Sequence, residues 1–322
     1  MTNVVKATPK ALQDAGDIIR KGGLVAFPTE TVYGLGADAL NPQAVARIFE
    51  VKNRPRFDPL IVHIADFLEV ERLCHSPNEK AEKLIERFWP GPLTITLLKS
   101  KVVPDIVTAG LSTVAIRMPA HPVALNLIKK AEVPIAAPSA NPFGYLSPTT
   151  AEHVKEQIGE KVDMILDGGK CPIGVESTVI DLTEAEPILL RPGGLSLEEI
   201  EAVIGKIKLS TIDSSKPRSP GQLPRHYSPR TPIKILKEVG FDMVQGKQVG
   251  LLAFTYPKKK LPYKAVEVLS SHGDLREAAA NFFTQLHRLD AAGLDIIYAE
   301  PVPEVGLGRA IMDRLRRASG DL

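Results

Sequence analysis

The chain has 322 residues, 44% of them hydrophobic, and its 40 Lys and Arg nearly balance its 38 Asp and Glu, for a net charge of +2. The length favours two domains, and the composition excludes a disordered or fibrous protein. The weak net charge excludes a nucleic-acid affinity spread over the whole chain, so any such affinity would need a local basic patch.

Two cysteines, Cys74 and Cys171, lie far apart in the sequence. One disulfide between them is an alternative, but reduced thiols are the expectation for an intracellular protein. No His/Cys cluster has the spacing of a zinc site, so we expect no metal site built from protein side chains alone. The N-terminal residues lack a signal-peptide pattern, and no apolar run is long enough for a membrane span. We therefore expect a soluble, cytoplasmic protein without membrane contact.

Capping residues followed by proline mark three helix starts, at Thr8, Asn41 and Ser76, and Ser196 with Glu199 predicts a capping box. Short apolar segments rich in β-branched residues predict strands between these helices. The predicted strands are 24–27, 60–64, 93–98, 113–118, 134–137, 177–182 and 187–191. Helices that alternate with such strands predict an α/β fold with a large mixed sheet.

The composition changes near residue 208, where a segment rich in proline and serine begins. A second, shorter alternation of strands and helices follows, which predicts a small Rossmann-like domain. It lacks G-x-G-x-x-G, so no dinucleotide site is inferred there. We predict three parts: an N-terminal domain (1–208), a Pro-rich linker (209–231) and a C-terminal domain (232–322).

Two loops of the first domain carry polar groups suited to a small anionic ligand. The segment FPTETVYGLGADAL (27–40) places Thr31 among hydroxyls and glycines after a strand. The segment VKNRPRFDPLIVHI (51–64) holds Lys52, Arg54 and Arg56 beside two prolines that stiffen it. Converging Lys and Arg suit a polyphosphate, because Arg binds oxygens as a fork and Lys as a point charge.

A single cation, Arg117, lies near the end of an apolar strand, where burial is costly without an anionic partner. The partner could be the carboxylate of a ligand or an internal Asp or Glu, and the sequence leaves both open. Ser139 and Asn141 follow another strand, where open α/β sheets bind ligands.

Each motif alone is weak evidence for a family, but the ordered set of motifs is specific. FPTETVYGLG, KNRP, PLIVHI, WPGPLT, the Arg of AIRMP, PSAN, GVESTVID and LRPG follow one another in a single order. This set closely resembles the YrdC-like threonylcarbamoyl-AMP synthases over about residues 10–205. The linker motif PGQLPRHYSP and the closing motif GLGRAIMDRLRRAS resemble the longer, two-domain form of that family. The resemblance implies a YrdC-like twisted mixed sheet with flanking helices, plus a smaller Rossmann-like domain.

The resemblance also implies roles for individual residues. The catalytic positions are Lys52, Arg54, Ser139 and Asn141. The ATP-binding positions are Lys52, Arg54, Asp58, Ser139, Ser147, Arg191, His226 and Tyr227. The threonine-binding positions are Thr31, His63, Thr113, Arg117, Ala137 and Ser177. Asp58 departs from the family, which often has Asn there, and a carboxylate would repel a triphosphate unless it helps to hold Mg²⁺.

The implied activity is that of a nucleotidyltransferase: L-threonine, bicarbonate and ATP with Mg²⁺ give threonylcarbamoyl-AMP and pyrophosphate. The product would pass to the tRNA threonylcarbamoyl transferase for t6A modification, with at most a weak contact to tRNA. One alternative is an RNA-binding YrdC-like module without catalysis. Another is the carbamoyl-adenylate chemistry of hydrogenase-maturation carbamoyltransferases, whose chains are much larger. The linker is too long, aromatic and basic for a simple tether, and we predict that it closes over the cleft as a lid.

Overall fold

The computed structural model describes residues 4–75, 77–210, 218–221, 226–236, 246–257 and 262–321. The helices are α1 (Pro9–Arg20), α2 (Pro42–Lys52), α3 (Leu68–Leu73), α4 (Glu79–Phe88), α5 (Asp105–Thr108), α6 (Pro122–Ala131), α7 (Ala151–Ile158), α8 (Leu197–Ile204), α9 (Leu275–Asp290) and α10 (Gly308–Ser319).

The strands divide between two sheets. The first eleven are β1 (Val4–Lys6), β2 (Val25–Pro28), β3 (Tyr33–Asp38), β4 (Ile61–His63), β5 (Leu93–Leu98), β6 (Thr113–Arg117), β7 (Ile135–Ala136), β8 (Met164–Asp167), β9 (Thr178–Asp181), β10 (Ile188–Arg191) and β11 (Lys208–Leu209). The last four are β12 (Ile233–Ile235), β13 (Val249–Ala253), β14 (Ala265–Val268) and β15 (Ile296–Ala299).

The large sheet has the order β1-β8-β2-β3-β7-β4-β6-β5-β9-β10-β11 and mixes parallel with antiparallel pairs. Apolar clusters from the strands and flanking helices cover it, which confirms the predicted α/β class. Strands β4 and β6 run parallel in a register that sets His63 opposite Arg117. Two polar side chains of the later site thus meet in the middle of the sheet.

Each of the seven predicted strands is present, with ends that differ by at most one residue. The strands of the large sheet that were not predicted are β1, β3, β8 and β11, and β3 lies in the segment 27–40, which was interpreted as a loop. Strand β3 pairs with β2 on one side and with β7 on the other. A Cβ at Gly36 would lie 2.8 Å from side-chain atoms of both Phe27 and Ile135. The glycine therefore makes room for its neighbours within the sheet.

Helix starts follow the predicted caps where these are described. The side chains of Thr8 and Asn41 accept backbone N–H bonds at the starts of α1 and α2, and Ser196 with Glu199 forms the predicted capping box. Ser76 lies outside the described residues. The helix expected after it begins at Glu79 and is capped by Asn78.

The smaller sheet has the order β12-β15-β13-β14, and all of its pairs are parallel. Helices α9 and α10 pack on it, as the alternation in the C-terminal third predicted. Strand β11 still belongs to the large sheet, whereas β12 begins the smaller one. The three-part division of the chain stays a prediction, and residues 211–217 and 222–225 of the linker lie outside the described residues.

One apolar cluster contains residues that pack around the large sheet as well as residues that pack around the smaller sheet. It holds Leu146 and Val175 from the first domain together with Phe282 and Phe283 of α9. The hydroxyls of Thr149 and Thr284 are hydrogen-bonded across the same boundary, 3.0 Å apart. The helix α9 therefore docks directly beside the segments that carry Ser147 and Ser177.

Cys74 and Cys171 are free and buried. Within the described residues, no helix is both long and apolar enough to cross a membrane.

Candidate active site

A cavity at the large sheet collects most of the predicted site residues. Those that line it are Thr31, Arg54, His63, Arg117, Ala137, Ser139, Ser177, Arg191, His226 and Tyr227. They come from several strands and loops and from the described part of the linker. Lys52, Asp58, Thr113, Asn141 and Ser147 do not line it directly.

Lys52 ends α2 and is fully buried. Its Nζ donates to the carbonyl oxygens of Ser139, at 2.6 Å, and of Asn141. The Asn141 side chain in turn donates to the carbonyls of Pro142 and Tyr145. Burial lowers the pKa of Lys52 well below its ordinary value, and the nearby Arg54 charge lowers it further. Lys52 thus ties α2 to the loop that carries the Ser-x-Asn pair.

Arg54 and Asp58 form a buried ion pair, with Nη2 2.9 Å from Oδ2. Arg54 also donates to the backbone carbonyls of Asp58 and Pro59. Burial raises the pKa of Asp58, whereas Arg54, Lys52 and Arg191 oppose this rise. Asp58 is therefore the counter-ion of a cationic cluster, and the third loop cation, Arg56, is exposed.

Arg191, at the end of β10, donates to the carbonyl and hydroxyl oxygens of Ser177 and to the carbonyl of Pro220. Within the described residues it has no carboxylate within ion-pair distance, and neither has Lys52. The other buried cations beside the cavity do have such partners: Arg54 pairs with Asp58, Arg117 with Glu30, and Arg314 with both Glu176 and Asp313. This part of the site carries an excess of positive charge.

Arg117 ends β6, and its guanidinium has three protein partners. Nε donates to the carbonyl of Gly91 at 3.2 Å, Nη1 donates to the Thr31 hydroxyl at 3.0 Å, and Nη2 lies 2.6 Å from Glu30 Oε1. Of the two alternatives left open by the sequence, the structure contains the internal ion pair. A ligand carboxylate is therefore not needed to make the burial of Arg117 tolerable.

Thr113 and Ser147 are two of the five predicted residues that do not line the cavity. Thr113 begins the strand that Arg117 ends, so at a rise of roughly 3.3 Å per residue the two lie about 13 Å apart. Thr113 does not line the cavity, and its contact with threonine stays a prediction. The Ser147 hydroxyl donates to Glu176, and its carbonyl accepts a bond from His287 of α9 at 3.2 Å.

Glu176 and Arg314 belong to the site but were not singled out from the sequence. Glu176 lines the cavity, and its second oxygen accepts a 3.0 Å bond from Arg314 Nε of α10. The guanidinium of Arg314 also lies over the ring of Tyr227, 5.1 Å from its centroid. The signal was available, because Glu176 lies within GVESTVID and Arg314 within the closing motif GLGRAIMDRLRRAS.

The described part of the linker lies against the cavity through Pro220, Gly221, His226 and Tyr227. Gly221 has φ +83°, and a Cβ there would lie 2.2 Å from the Tyr227 hydroxyl. His226 packs edge-on against Phe143, with centroids 5.4 Å apart. Burial lowers the pKa of His226 well below its ordinary value, and the charges of Arg54, Lys52 and Arg191 add to this effect. His226 is thus a neutral ring beside the cationic cluster.

No group of three or more His, Cys, Asp or Glu side chains in the described ranges could hold a metal ion. Asp58 has two buried oxygens without a hydrogen-bond donor, although one is ion-paired with Arg54. This set fits a Mg²⁺ ion that arrives on a polyphosphate and takes at most one protein carboxylate.

Comparison with known proteins identifies the family. The Sua5/YciO/YrdC family model, described as "Telomere recombination", matches residues 17–193. A model described as "Threonylcarbamoyl-AMP synthase, C-terminal domain" matches residues 195–320.

Similarity to individual proteins extends over nearly the whole chain. A threonylcarbamoyl-AMP synthase of Pyrococcus abyssi is 53% identical over 319 residues, which cover 95% of this chain and 93% of the relative. That of Bacillus subtilis is 44% identical and covers 99% and 96%. The crystal structure of P. abyssi Sua5 complexed with L-threonine is similar with a TM-score of 0.91 and 47% identity, over 99% of this chain and 97% of the other. The chain therefore belongs to the Sua5/YciO/YrdC family and, within it, to the threonylcarbamoyl-AMP synthases that carry the additional C-terminal domain.

Proposed function

We propose that this chain is a nucleotidyltransferase that converts L-threonine, bicarbonate and ATP into threonylcarbamoyl-AMP and pyrophosphate. The observation that carries the proposal is the unbalanced charge beside the cavity. Lys52 and Arg191 are buried there and, among the described residues, have carbonyl and hydroxyl partners but no carboxylate.

A buried cation without an anion is costly, by several kcal/mol per ion in real proteins. Carbonyl oxygens offset part of this cost and leave the full charge for a ligand. A triphosphate would supply the missing anion, and it would raise the lowered pKa of Lys52 towards its ordinary value. Arg54 and Arg191 suit forked contacts to phosphate oxygens, and Lys52 suits a point contact.

The part of the cavity around Arg117, here called the threonine end, suits a small amino acid. Arg117 keeps N–H groups that its three protein partners do not use, and the hydroxyls of Thr31 and Ser177 lie in the same lining. His63 lies beside them, and burial together with the Arg117 charge lowers its pKa to about 3. His63 is therefore neutral at neutral pH. The crystal structure of the P. abyssi relative with L-threonine supports threonine as the amino acid.

In the proposed reaction, the threonine amine loses a proton and attacks the carbon of CO₂, which bicarbonate supplies by loss of hydroxide, and the new C–N bond gives a carbamate. A carbamate oxygen then attacks the α-phosphorus of ATP in line, the bond to the bridging oxygen breaks, and pyrophosphate leaves. The residues act by positioning and charge stabilisation, because oriented reactants can lower a barrier by about 7–11 kcal/mol. Arg54, Arg191 and Lys52 would stabilise the charge that grows on the leaving pyrophosphate.

Mg²⁺ bound to ATP would neutralise phosphate charge, and Asp58, which does not line the cavity in this structure, would have to reach it to hold the metal. Without the metal, Asp58 would repel the triphosphate. Its pairing with Arg54 lessens this repulsion.

The linker would act as a lid. Pro220, Gly221, His226 and Tyr227 lie against the cavity, where exclusion of water protects a carbamate and a mixed anhydride from hydrolysis. Deletion of residues 219–229 is expected to reduce turnover while the first domain stays folded. Unchanged turnover would exclude a lid.

The geometry does not favour an RNA-binding module without chemistry, because Lys52, Arg54 and Arg191 are buried rather than spread over an exposed surface. We propose that the product is handed to a tRNA-modifying transferase and that contact with tRNA is weak. Binding to tRNA with a steep salt dependence, in the absence of ATP turnover, would instead support the RNA-binding alternative.

The test is incubation of the full chain with ATP, Mg²⁺, bicarbonate and one amino acid at a time. Pyrophosphate is expected only with bicarbonate and threonine present, together with the mass of threonylcarbamoyl-AMP. Equal pyrophosphate release with every amino acid, or none with threonine, would contradict the proposal.

A further inference from the structure

The threonine end of the cavity contains a charge pair that the proposed chemistry does not itself require. Glu30 lies in the turn between β2 and β3 and is 6% exposed. Its Oε1 lies 2.6 Å from Arg117 Nη2, and within the described residues neither oxygen has a donor with hydrogen-bond geometry. Arg117 lines the cavity and Glu30 does not, so the carboxylate lies behind the guanidinium.

The other titratable groups around this pair are neutral near neutral pH. Burial and the Arg117 charge hold the pKa of His63 at about 3, and burial lowers the pKa of His121, against the opposing charge of Glu30. Burial, together with Glu30, raises the pKa of the Cys171 thiol. Arg117 and Glu30 therefore form a balanced pair of charges at this end of the cavity, and Glu176, which also lines the cavity, is paired with Arg314.

We infer that Glu30 is a specificity-determining residue, which makes the Arg117 subsite select a zwitterionic amino acid and reject a simple carboxylate anion. The inference rests on the proposed function, in which Arg117 binds the threonine carboxylate.

The physical reason for this selectivity is the net charge of the Arg117 subsite with its ligand bound. A carboxylate bound to Arg117 alone would leave two negative charges around one positive charge in a poorly solvated place. An ammonium group on the same ligand restores neutrality. The ammonium need not touch Glu30, because charges separated by several ångströms still interact by a few kcal/mol at the effective dielectric of a buried site. Discrimination of this kind arises from repulsion of the wrong ligand as much as from attraction of the right one.

A purely structural role for Glu30 would give a different result. If Glu30 only held Arg117 in place through the 2.6 Å contact, its loss would weaken every carboxylate ligand by a similar factor. If it sets the charge balance, ligands with and without the ammonium would respond differently.

The experiment compares L-threonine with 3-hydroxybutyrate, which has the same hydroxyl and carboxylate but no amine. Dissociation constants for both are measured by calorimetry on the full chain and on the Glu30→Gln variant. The ratio of the 3-hydroxybutyrate constant to the threonine constant is expected to fall at least about tenfold in the variant. An unchanged ratio overturns the inference.

Three controls keep the outcome interpretable. Glu30→Asp keeps the charge and should keep the ratio within about threefold, and Glu304→Gln removes a carboxylate from the partly exposed pair with Arg316 and should change nothing. ATP affinity, measured in each variant, reports whether the cavity is intact. If Glu30→Gln does not fold, Arg117→Gln replaces it: the unbalanced Glu30 charge should then raise the ratio at least about tenfold, and an unchanged ratio overturns the inference. Failure of the unaltered chain to bind threonine would count against the proposed function instead.

Discussion

The two ends of the cavity bury guanidinium groups in different electrostatic settings. In the part around Lys52 and Arg191, here called the ATP end, both cations are held by carbonyl and hydroxyl oxygens, and among the described residues Asp58 pairs only with Arg54. At the threonine end, Arg117 and Glu30 cancel. A site with excess positive charge suits a polyanion, whereas a balanced pair suits a zwitterion. The counter-ions around the arginines, rather than the arginines alone, thus distinguish the two ligands.

The strongest way to break this comparison is to remove a charge from the ATP end. Lys52→Met keeps most of the side-chain volume but removes the cation, and pyrophosphate release is expected to fall about 10²–10³-fold. Threonine affinity should change little. Because the carbonyls of Ser139 and Asn141 lose a donor, unfolding should also become easier by about 1–3 kcal/mol. Turnover and thermal unfolding measure the two effects, and near-normal turnover would show that Lys52 has only a structural role.

The matching change at the threonine end is Arg117→Gln. The KM for threonine is expected to rise about 100-fold, because a buried forked contact to a carboxylate is lost, while the KM for ATP stays within about threefold. The variant should lose about 3–5 kcal/mol of stability, since Glu30 remains buried without its partner. The double variant with Glu30→Gln should recover stability but not threonine affinity. Recovery of both would mean that Arg117 does not bind the substrate.

Removal of the Asp58 charge should increase the excess of positive charge at the ATP end. Asp58→Asn removes a buried negative charge beside Lys52, Arg54 and Arg191, so ATP without Mg²⁺ should bind about tenfold more tightly. Titration of ATP with and without Mg²⁺ measures this. Weaker binding in the absence of the metal would show that Asp58 does not oppose the triphosphate.

The smallest expected effect concerns the boundary between the domains. His153 of α7 and His287 of α9 stack with centroids 3.9 Å apart. Burial, followed by the charges of His287, Lys170 and Arg288, lowers the pKa of His153 to about 3, and burial lowers the pKa of His287 against Ser147 and Asp290. Their stabilising contribution is complete above the unfolded pKa of about 6.5 and is lost as the pH falls towards 3.

For His153 this loss should reach at most about 1 kcal/mol by pH 6. Melting temperatures between pH 8 and pH 5.5 measure it. His153→Asn is the control, because its side-chain oxygen can still accept the Thr149 N–H bond but does not titrate. Equal pH dependence in both chains would show that the stacked pair does not sense pH.

Local patterns were sufficient for most of the fold. Proline after Thr8 and Asn41 marks α1 and α2, and β-branched apolar runs mark the central strands. Strand β3 was not among the predicted strands, because the room that Gly36 makes for Phe27 and Ile135 shows only when the neighbouring strands are in place. The place of Thr113 outside the cavity lining likewise depends on the fold.

The sequence by itself determined the α/β class, the motifs in their order, and hence the family and most of the residues that line the cavity. Only the tertiary structure decided which charges pair. Arg117 meets Thr31 across 86 residues, and Arg314 meets Glu176 across 138. Such partners are chosen by the packing of strands and domains, and the interaction energy depends on distance through a poorly polarisable interior rather than along the chain. For this reason the net charge of each end of the cavity, and with it the class of ligand, could be counted only once the chain was folded.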